Sequence, residues 1–351
     1  MIETQKKILF IIPKNKVGGA ENVMLSLANE FSKSNLKIYF VILTETKKIK
    51  LNKKITLIYL NSHRVIESIL KIKDLINRIK PEICFSTISH TNIALHFASK
   101  LSSHKCKIFL RESNNIFESL SYKNFIFRYF YFSLLKICYK NSYLISPSIK
   151  LSHYLKNKFR IKKKVYSIAN PIRLNKKNNI TKKKFDFINV GSLTSQKDHI
   201  TLLKAFQIAY EKNKKLKLLI IGEGIMKKKI LFFIKKNRLK KNVLLMNYQK
   251  DVSKYLVMAK TFLLSSRYEG YPNVLIDAAI NSMPIISSNC NFGPSEILFN
   301  GKYGKLFPVG DYRYLSKLML KDSKTIKKIP NHKLEKNKIN KIVKKYYELF
   351  F

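Results

Sequence analysis

Short apolar runs alternate with helix-length amphipathic segments along most of this chain, and no other feature restricts its fold so far. Residues 8–12, 37–43, 55–60, 82–87, 106–110, 143–145 and 165–168 form one series of such runs. Residues 185–190, 218–221, 243–246, 261–264 and 285–286 form a second. Runs this short and uniformly apolar are expected of parallel strands buried on both faces. Between them, residues 65–79 and 92–101, and the spacing of Val23, Leu27, Ala28 and Phe31, read as helices with one apolar face. Residues 251–259 and 334–351 also read as helical, and 301–309 as a hairpin-like segment. This alternation predicts α/β architecture: doubly wound parallel sheets with helices on both faces. The 351 residues suffice for two such domains. The polar, lysine-rich stretch 173–184, just after a strand that ends in Asn170-Pro171, is the expected boundary between them.

Charge bears on partners rather than on fold. The chain carries 69 Lys and Arg against 21 Asp and Glu, a net of +48. Such an excess favours anionic partners: nucleic acid, acidic lipid headgroups or phosphorylated substrates. Yet the lysines spread through almost every segment, beside abundant Ile and Asn and no Trp, as an AT-rich genome also produces. Both origins stay open. The basic residues do not gather into one nucleic-acid-binding module, so nucleic acid is not the expected partner. Cys84, Cys106, Cys138 and Cys290 are dispersed, without metal-ligand spacing, and read as reduced thiols of a cytoplasmic protein. No metal site is expected. No signal peptide is evident, and no segment nears the ~20 apolar residues that span a bilayer. Residues 125–139 are apolar all round apart from Arg128 and Lys136, with Lys123 and Lys140 at the flanks. A helix at a membrane interface and a buried core helix both fit that pattern.

The residues with most chemistry lie between Ser265 and Phe307. The strand 261–264 runs into the polar turn Ser265-Ser266-Arg267-Tyr268-Glu269-Gly270. Pro272 suits the first turn of a helix, where a missing N–H costs nothing. Val274, Leu275, Ala278 and Ala279 continue that helix, Asp277 falls about two turns into it, and Pro284 stops it. A loop carboxylate beside exposed helix N–H groups can hold a ligand that is partly anionic and rich in hydroxyls. Three other loops follow strands in the same way. Gly18-Gly19 stand between a strand and a helix, where a tight turn and a phosphate cradle both fit; the full dinucleotide fingerprint is missing, so no nicotinamide cofactor is inferred. Arg111 to Asn115 follow one strand and Ser89 to Asn92 another, as loops at strand carboxyl ends. Gly191 to His199 lead into a helix, with Lys197 as a cation and Asp198 as an N-cap.

Glu269, seven intervening residues, the acid Asp277, and then Gly293-Pro294-x-Glu296-Ile297 make a run that resembles the donor-binding region of retaining glycosyltransferases. These are the bacterial group 1, or family 4, enzymes of capsule, O-antigen and lipid-linked glycan synthesis. The resemblance covers nearly the whole chain and is strongest from Phe185 to Asp311. It implies the GT-B fold, with two Rossmann-like domains facing across a cleft: residues 1–170 on the acceptor side and 171–331 holding the nucleotide sugar. A C-terminal helix, 332–351, would return to the first domain. Lys197 and Glu269 would be catalytic. Lys197, with Ser192, Gly18 and Gly19, would hold the donor diphosphate. Glu269 and the backbone of Gly270, Tyr271, Pro272 and Asn273 would hold the sugar, Asp277 the ribose, and Tyr248 would lie at the base. Arg111 and Asn114 would face the acceptor. Two positions depart from the family pattern: Ser192 stands where Arg is usual, and Asp277 where Glu is usual. No cofactor is expected, because the nucleotide sugar, UDP-linked, is a substrate. The acceptor would be a lipid-linked or polysaccharide glycan, and the lysine-rich surface suits work at the anionic inner face of the cytoplasmic membrane. Two other readings use the same residues: a non-catalytic GT-B partner subunit, motivated by Ser192 and Asp277, and a basic polyanion binder, motivated by the charge.

Overall fold

Both series of apolar runs form parallel sheets. The structure is a computed structural model that describes residues 5–14, 18–44, 49, 51–62, 65–162, 164–172 and 183–351. The first series gives β1 (Lys6–Lys14), α1 (Gly19–Phe31), β2 (Leu36–Thr44), β3 (Ile55–Tyr59), α2 (Val65–Ile79), β4 (Ile83–Thr87), α3 (Ser89–Leu101), β5 (Lys107–Arg111), α4 (Ile116–Ser119), α5 (Phe125–Lys140), β6 (Tyr143–Ser146), α6 (Ile149–Lys158) and β7 (Val165–Ser167). The second gives β8 (Phe185–Val190), α7 (His199–Lys212), β9 (Leu218–Ile221), α8 (Lys227–Lys236), β10 (Val243–Met246), α9 (Ser253–Leu256), β11 (Ala259–Leu264), α10 (Asn273–Ile280), β12 (Ile285–Ser288), α11 (Pro294–Ile297), β13 (Lys305–Phe307), α12 (Tyr312–Met319), α13 (Asn331–Leu334) and α14 (Ile339–Phe350). The chain divides into two compact units, Met1–Arg173 with Asn337–Phe351, and Leu174–Lys336. Most of the expected boundary stretch, 173–182, lies outside the described residues.

Among the described residues, the first sheet has the order β3-β2-β1-β4-β5-β6-β7 and the second β10-β9-β8-β11-β12-β13. Each order reverses once, between β1 and β4 in the first unit and between β8 and β11 in the second. Those switch points are where open α/β sheets leave a crevice beyond the strand carboxyl ends. The first core is aromatic. Phe10 lies 6.1 Å from Phe40 and 5.6 Å from Phe85, across strands it pairs with directly. Helix α14 closes this core with Ile342, Tyr346 and Phe350, all fully buried. The return is pinned where Ile172 N–H donates to Asn337 O (2.8 Å) and Ile339 N–H donates to Ile172 O (3.0 Å). The second core gathers Phe187, Leu202, Phe206, Leu218, Ile220, Leu263 and Ile286.

Several boundaries differ from the sequence expectation, each for a local reason. Helix α3 starts at Ser89, because Ile88 at φ 74° turns the chain directly out of β4; Ser89, His90 and Thr91 are its first turn rather than a loop. Helix α9 is only Ser253–Leu256, since Ala259 already pairs with Phe185 as the start of β11. Residues 301–309 form no hairpin: β13 is an edge strand that pairs in parallel with β12. The last helix begins at Ile339. Pro272 is extended (φ −71°, ψ 105°) and stands at the N-cap of α10, one position earlier than expected, so Asp277 lies little more than one turn in.

Candidate functional site

The second unit's switch point holds the expected pair. The loop after β8 carries Lys197 and the loop after β11 carries Glu269, and strand order makes the two loops neighbours. Lys197 Nζ donates to Glu269 Oε1 at 2.5 Å, and Ser266 Oγ donates to the same oxygen at 2.6 Å. The two side chains are only 15% and 7% exposed. A carboxylate and an ammonium this far from water are stable only as partners, and removing one costs roughly 3–5 kcal/mol. Further bonds fasten the loops together. Ser265 Oγ donates to Lys197 O (2.9 Å), Gln196 Nε2 to Tyr268 O (3.0 Å), and Arg267 N–H to Gln196 O (2.8 Å). Arg267 Nε donates to Asp198 Oδ2 at 3.1 Å, while Asp198 caps α7 by accepting from Thr201 N–H. Ser288 Oγ, on β12, donates to Ser266 O at 2.6 Å and sets the base of the turn. Sequence reasoning passed over Ser265, Ser266, Gln196, Arg267 and Ser288; two serines directly after an apolar strand were the available signal.

The start of α10 adjoins Glu269. Its N-cap is Pro272, which has no side-chain acceptor of its own, and the first N–H groups and the positive end of the helix dipole lie beside the loop. Gly293, at φ 88°, packs beneath this loop; a Cβ there would collide with Pro272 and with the Gly270 carbonyl, so the Gly-Pro turn supports Gly270 to Asn273 by close approach. Gly222 approaches Gly191 in the same way at the other loop. Ser192 is exposed directly after Gly191. Burial pushes the Asp277 carboxyl up to about 6. Tyr248 is exposed after β10, the edge strand two places from β8, and is not gathered with the pair.

The first unit presents its own switch point, after β1 and β4. Gly18 is the N-cap of α1, and its missing side chain makes room for Glu21, whose carboxylate would collide with a Cβ there. Burial raises the Glu21 carboxyl, a bond to its own N–H lowers it, and Lys14 lowers it further. The helix end expected to receive a phosphate thus already carries a carboxylate of the chain itself. Asn15, Lys16 and Val17 lie outside the described residues.

Arg111 departs from its expected place on the acceptor side. It is fully buried and donates through Nη2 to Asn170 Oδ1. Strand periodicity explains this: Arg111 falls two residues after Phe109, on the face that α14 covers, and Phe109 packs 4.6 Å from Phe350. Asn114 is half-buried; its Oδ1 accepts from Asn115 N–H at 2.9 Å. The more notable group is Glu112, which sequence reasoning did not select. It is buried, Tyr139 OH donates to its Oε2 at 2.7 Å, and Ser113 N–H donates to its Oε1 at 3.1 Å. Desolvation outweighs these bonds and pushes its carboxyl up to about 7. Among the described residues, no three His, Cys, Asp or Glu gather at metal-ligand distance.

Residues 172–339 match the family model for glycosyl transferases of group 1. An uncharacterized glycosyltransferase of Methanocaldococcus jannaschii is 32% identical over 275 residues, covering 69% of this chain and 67% of that one. The N-acetylgalactosamine-N,N'-diacetylbacillosaminyl-diphospho-undecaprenol 4-alpha-N-acetylgalactosaminyltransferase of Campylobacter jejuni is 29% identical over 211 residues, 56% of each chain. The match therefore spans little more than half of that relative. Among solved structures, Anabaena HepE in complex with UDP and glucose superposes with a TM-score of 0.80 at 12% identity, covering 98% of this chain and 99% of that one.

Proposed function

We propose that this chain, which belongs to the group 1 glycosyltransferase family and has its GT-B architecture, moves a sugar from a UDP-linked donor to a lipid-linked or surface-polysaccharide glycan with retention of configuration. The observation that carries the reading is the Lys197–Glu269 pair at the switch point, beside the start of α10. A diphosphate arriving there offers Lys197 a second anionic partner. Glu269, still held by Ser266, is then released to accept hydrogen bonds from sugar hydroxyls beside the reacting carbon. The bond from that carbon to the diphosphate oxygen breaks as the acceptor oxygen bonds to it from the same face. The acceptor proton passes to the departing diphosphate. Negative charge grows on that oxygen, and Lys197 with the α10 N–H groups stabilises it where it develops. The C. jejuni relative is named for an undecaprenol-diphosphate acceptor, which supports a lipid-linked glycan as the leading acceptor class.

Asp277 is proposed to accept hydrogen bonds from the ribose, and its environment makes that role testable. Its carboxyl is raised from 3.8 to about 6, so burying the charged form costs stability. That stability is present below about pH 4 and is lost as pH rises through about 6. Two units correspond to about 2–3 kcal/mol. Asp277→Asn is expected to raise the unfolding midpoint at pH 7.5, to leave it unchanged at pH 4, and to weaken UDP at pH 7.5. Unfolding scans and UDP titrations on both proteins check this, and unaltered UDP affinity removes Asp277 from the site.

The reaction itself is tested with radiolabelled UDP-hexoses and UDP-N-acetylhexosamines and a panel of polyprenyl-diphosphate glycans. Label is expected in the organic phase, and product NMR is expected to show the anomeric configuration of the donor. An inverted product overturns the retaining mechanism, and absence of label with every donor and acceptor overturns the reading.

A further inference from the structure

Helix α5 is not a core helix. Of its residues only Leu135, Cys138 and Tyr139 are buried. Phe125, Ile126, Tyr129, Phe130, Leu134 and Ile137 are all exposed, the two phenylalanines by 78% and 64%. At ~100° per residue these side chains sweep about half of the helix circumference. Lys136 and Lys140 are exposed within that arc, on the side of Phe125 and Tyr129. Before the helix, Lys123 Nζ stands 5.2 Å over the Tyr122 ring and 5.7 Å from Phe127. An apolar surface of this breadth left to water is a docking face rather than ordinary surface composition.

We propose that this face of α5 docks on an anionic lipid bilayer, with the helix lying in the interface plane and its rings among the headgroups and upper acyl chains. Charge selects that occupant. No acidic residue occurs anywhere between Glu118 and Asp186, while lysines and arginines recur through the whole interval. A face of rings interspersed with lysines, with no carboxylate to repel phosphates, matches an anionic headgroup layer. No described helix is long and apolar enough to cross a membrane, so contact through α5 is lateral. The opposite face of the same helix reaches the carboxyl ends of β4 and β5: Tyr131 OH donates to Ser89 Oγ, in the first turn of α3, and Tyr139 OH to Glu112 Oε2, just after β5, both at 2.7 Å. One helix therefore joins a surface suited to lipid with the strand ends beside the first unit's switch point. The inference complements the lipid-linked acceptor proposed above without resting on it, because vesicle binding needs neither donor nor acceptor.

The chain contains no Trp, so a single introduced Trp reports without background. The full chain carrying Phe130→Trp is mixed with vesicles of phosphatidylglycerol and phosphatidylethanolamine, and separately with phosphatidylcholine. With the anionic vesicles the emission is expected to shift to the blue and to be quenched by brominated acyl chains; with phosphatidylcholine both effects are expected to be weaker. Phe232→Trp, on α8 of the second unit and 66% exposed in the parent, is expected to show neither. The triple variant Phe125→Ser, Tyr129→Ser, Phe130→Ser keeps every charge and is expected to partition at least tenfold more weakly. Equal partitioning of the triple variant overturns the proposal, because charge alone then explains adhesion. So does an unshifted Phe130→Trp emission, and so does a self-association that the triple variant abolishes without any lipid binding.

Discussion

Glu269→Gln is expected to reduce glycosyl transfer by at least about 100-fold, the scale for losing one preorganised electrostatic contact at a reacting centre. The substitution keeps the size of the side chain and an oxygen that can accept from Ser266 and Lys197, so the two loops stay fastened. It removes the negative charge, and with it the strong acceptance of sugar hydroxyls. UDP affinity is expected to change little, since Glu269 is assigned to the sugar and not to the nucleotide. Alanine is a poorer probe. It strands the Lys197 ammonium, 15% exposed, without its partner, and loses stability together with turnover. Steady-state rates with thermal midpoints measured side by side separate the two effects. Turnover equal to that of the parent removes Glu269 from the reaction.

Lys197→Ala is expected to raise the dissociation constant for UDP by about 30- to 150-fold, the equivalent of ~2–3 kcal/mol for a lost charge-assisted hydrogen bond. Ser192, expected beside the same diphosphate, carries no charge, so it compensates little for the lost ammonium. The same change leaves the Glu269 carboxylate, 7% exposed, without its cation, while Ser266 still donates to it. The free protein is therefore expected to lose stability as well, by about 3 kcal/mol. Calorimetric titration of UDP at fixed salt checks the first effect and unfolding in the absence of ligand checks the second. Equal UDP affinity in parent and variant takes Lys197 out of the donor site.

Much of this was visible in the chain itself. Short apolar runs such as 8–12 and 218–221, bounded by turn residues, read as buried strands, and the helix patterns between them point to parallel pairing. Lys197 and Glu269 were singled out by the run of residues that resembles a glycosyltransferase donor region; their places between an apolar run and a helix pattern agree with it but do not select them alone. Their mutual contact was not, because it depends on β8 lying beside β11, and spacing along the chain does not decide strand order. The bonds from Ser265, Gln196 and Arg267 follow from that adjacency and were hidden with it. Arg111 shows the opposite failure. Its position at a strand end reads as a binding loop, yet α14, from the far end of the chain, covers that face and buries it. Glu112 escaped notice for a similar reason: burial in the folded unit, which spacing along the chain does not reveal, raises its carboxyl against the lowering effect of the bond from Tyr139 on α5. Residues 125–139 left two environments open in the sequence, and side-chain exposure along α5 speaks against the buried core helix.

The central claim is that the loops after β8 and β11 form a uridine diphosphate site. Thermal unfolding of the purified chain with UDP, ADP and GDP, each at the same salt concentration, tests it most directly. At 100 times its dissociation constant UDP is expected to add about 2.7 kcal/mol of stability, a clear rise in midpoint, while ADP and GDP add little. No rise with any nucleotide, or an equal rise with all three that salt abolishes, contradicts the account and marks the chain as a general binder of anions.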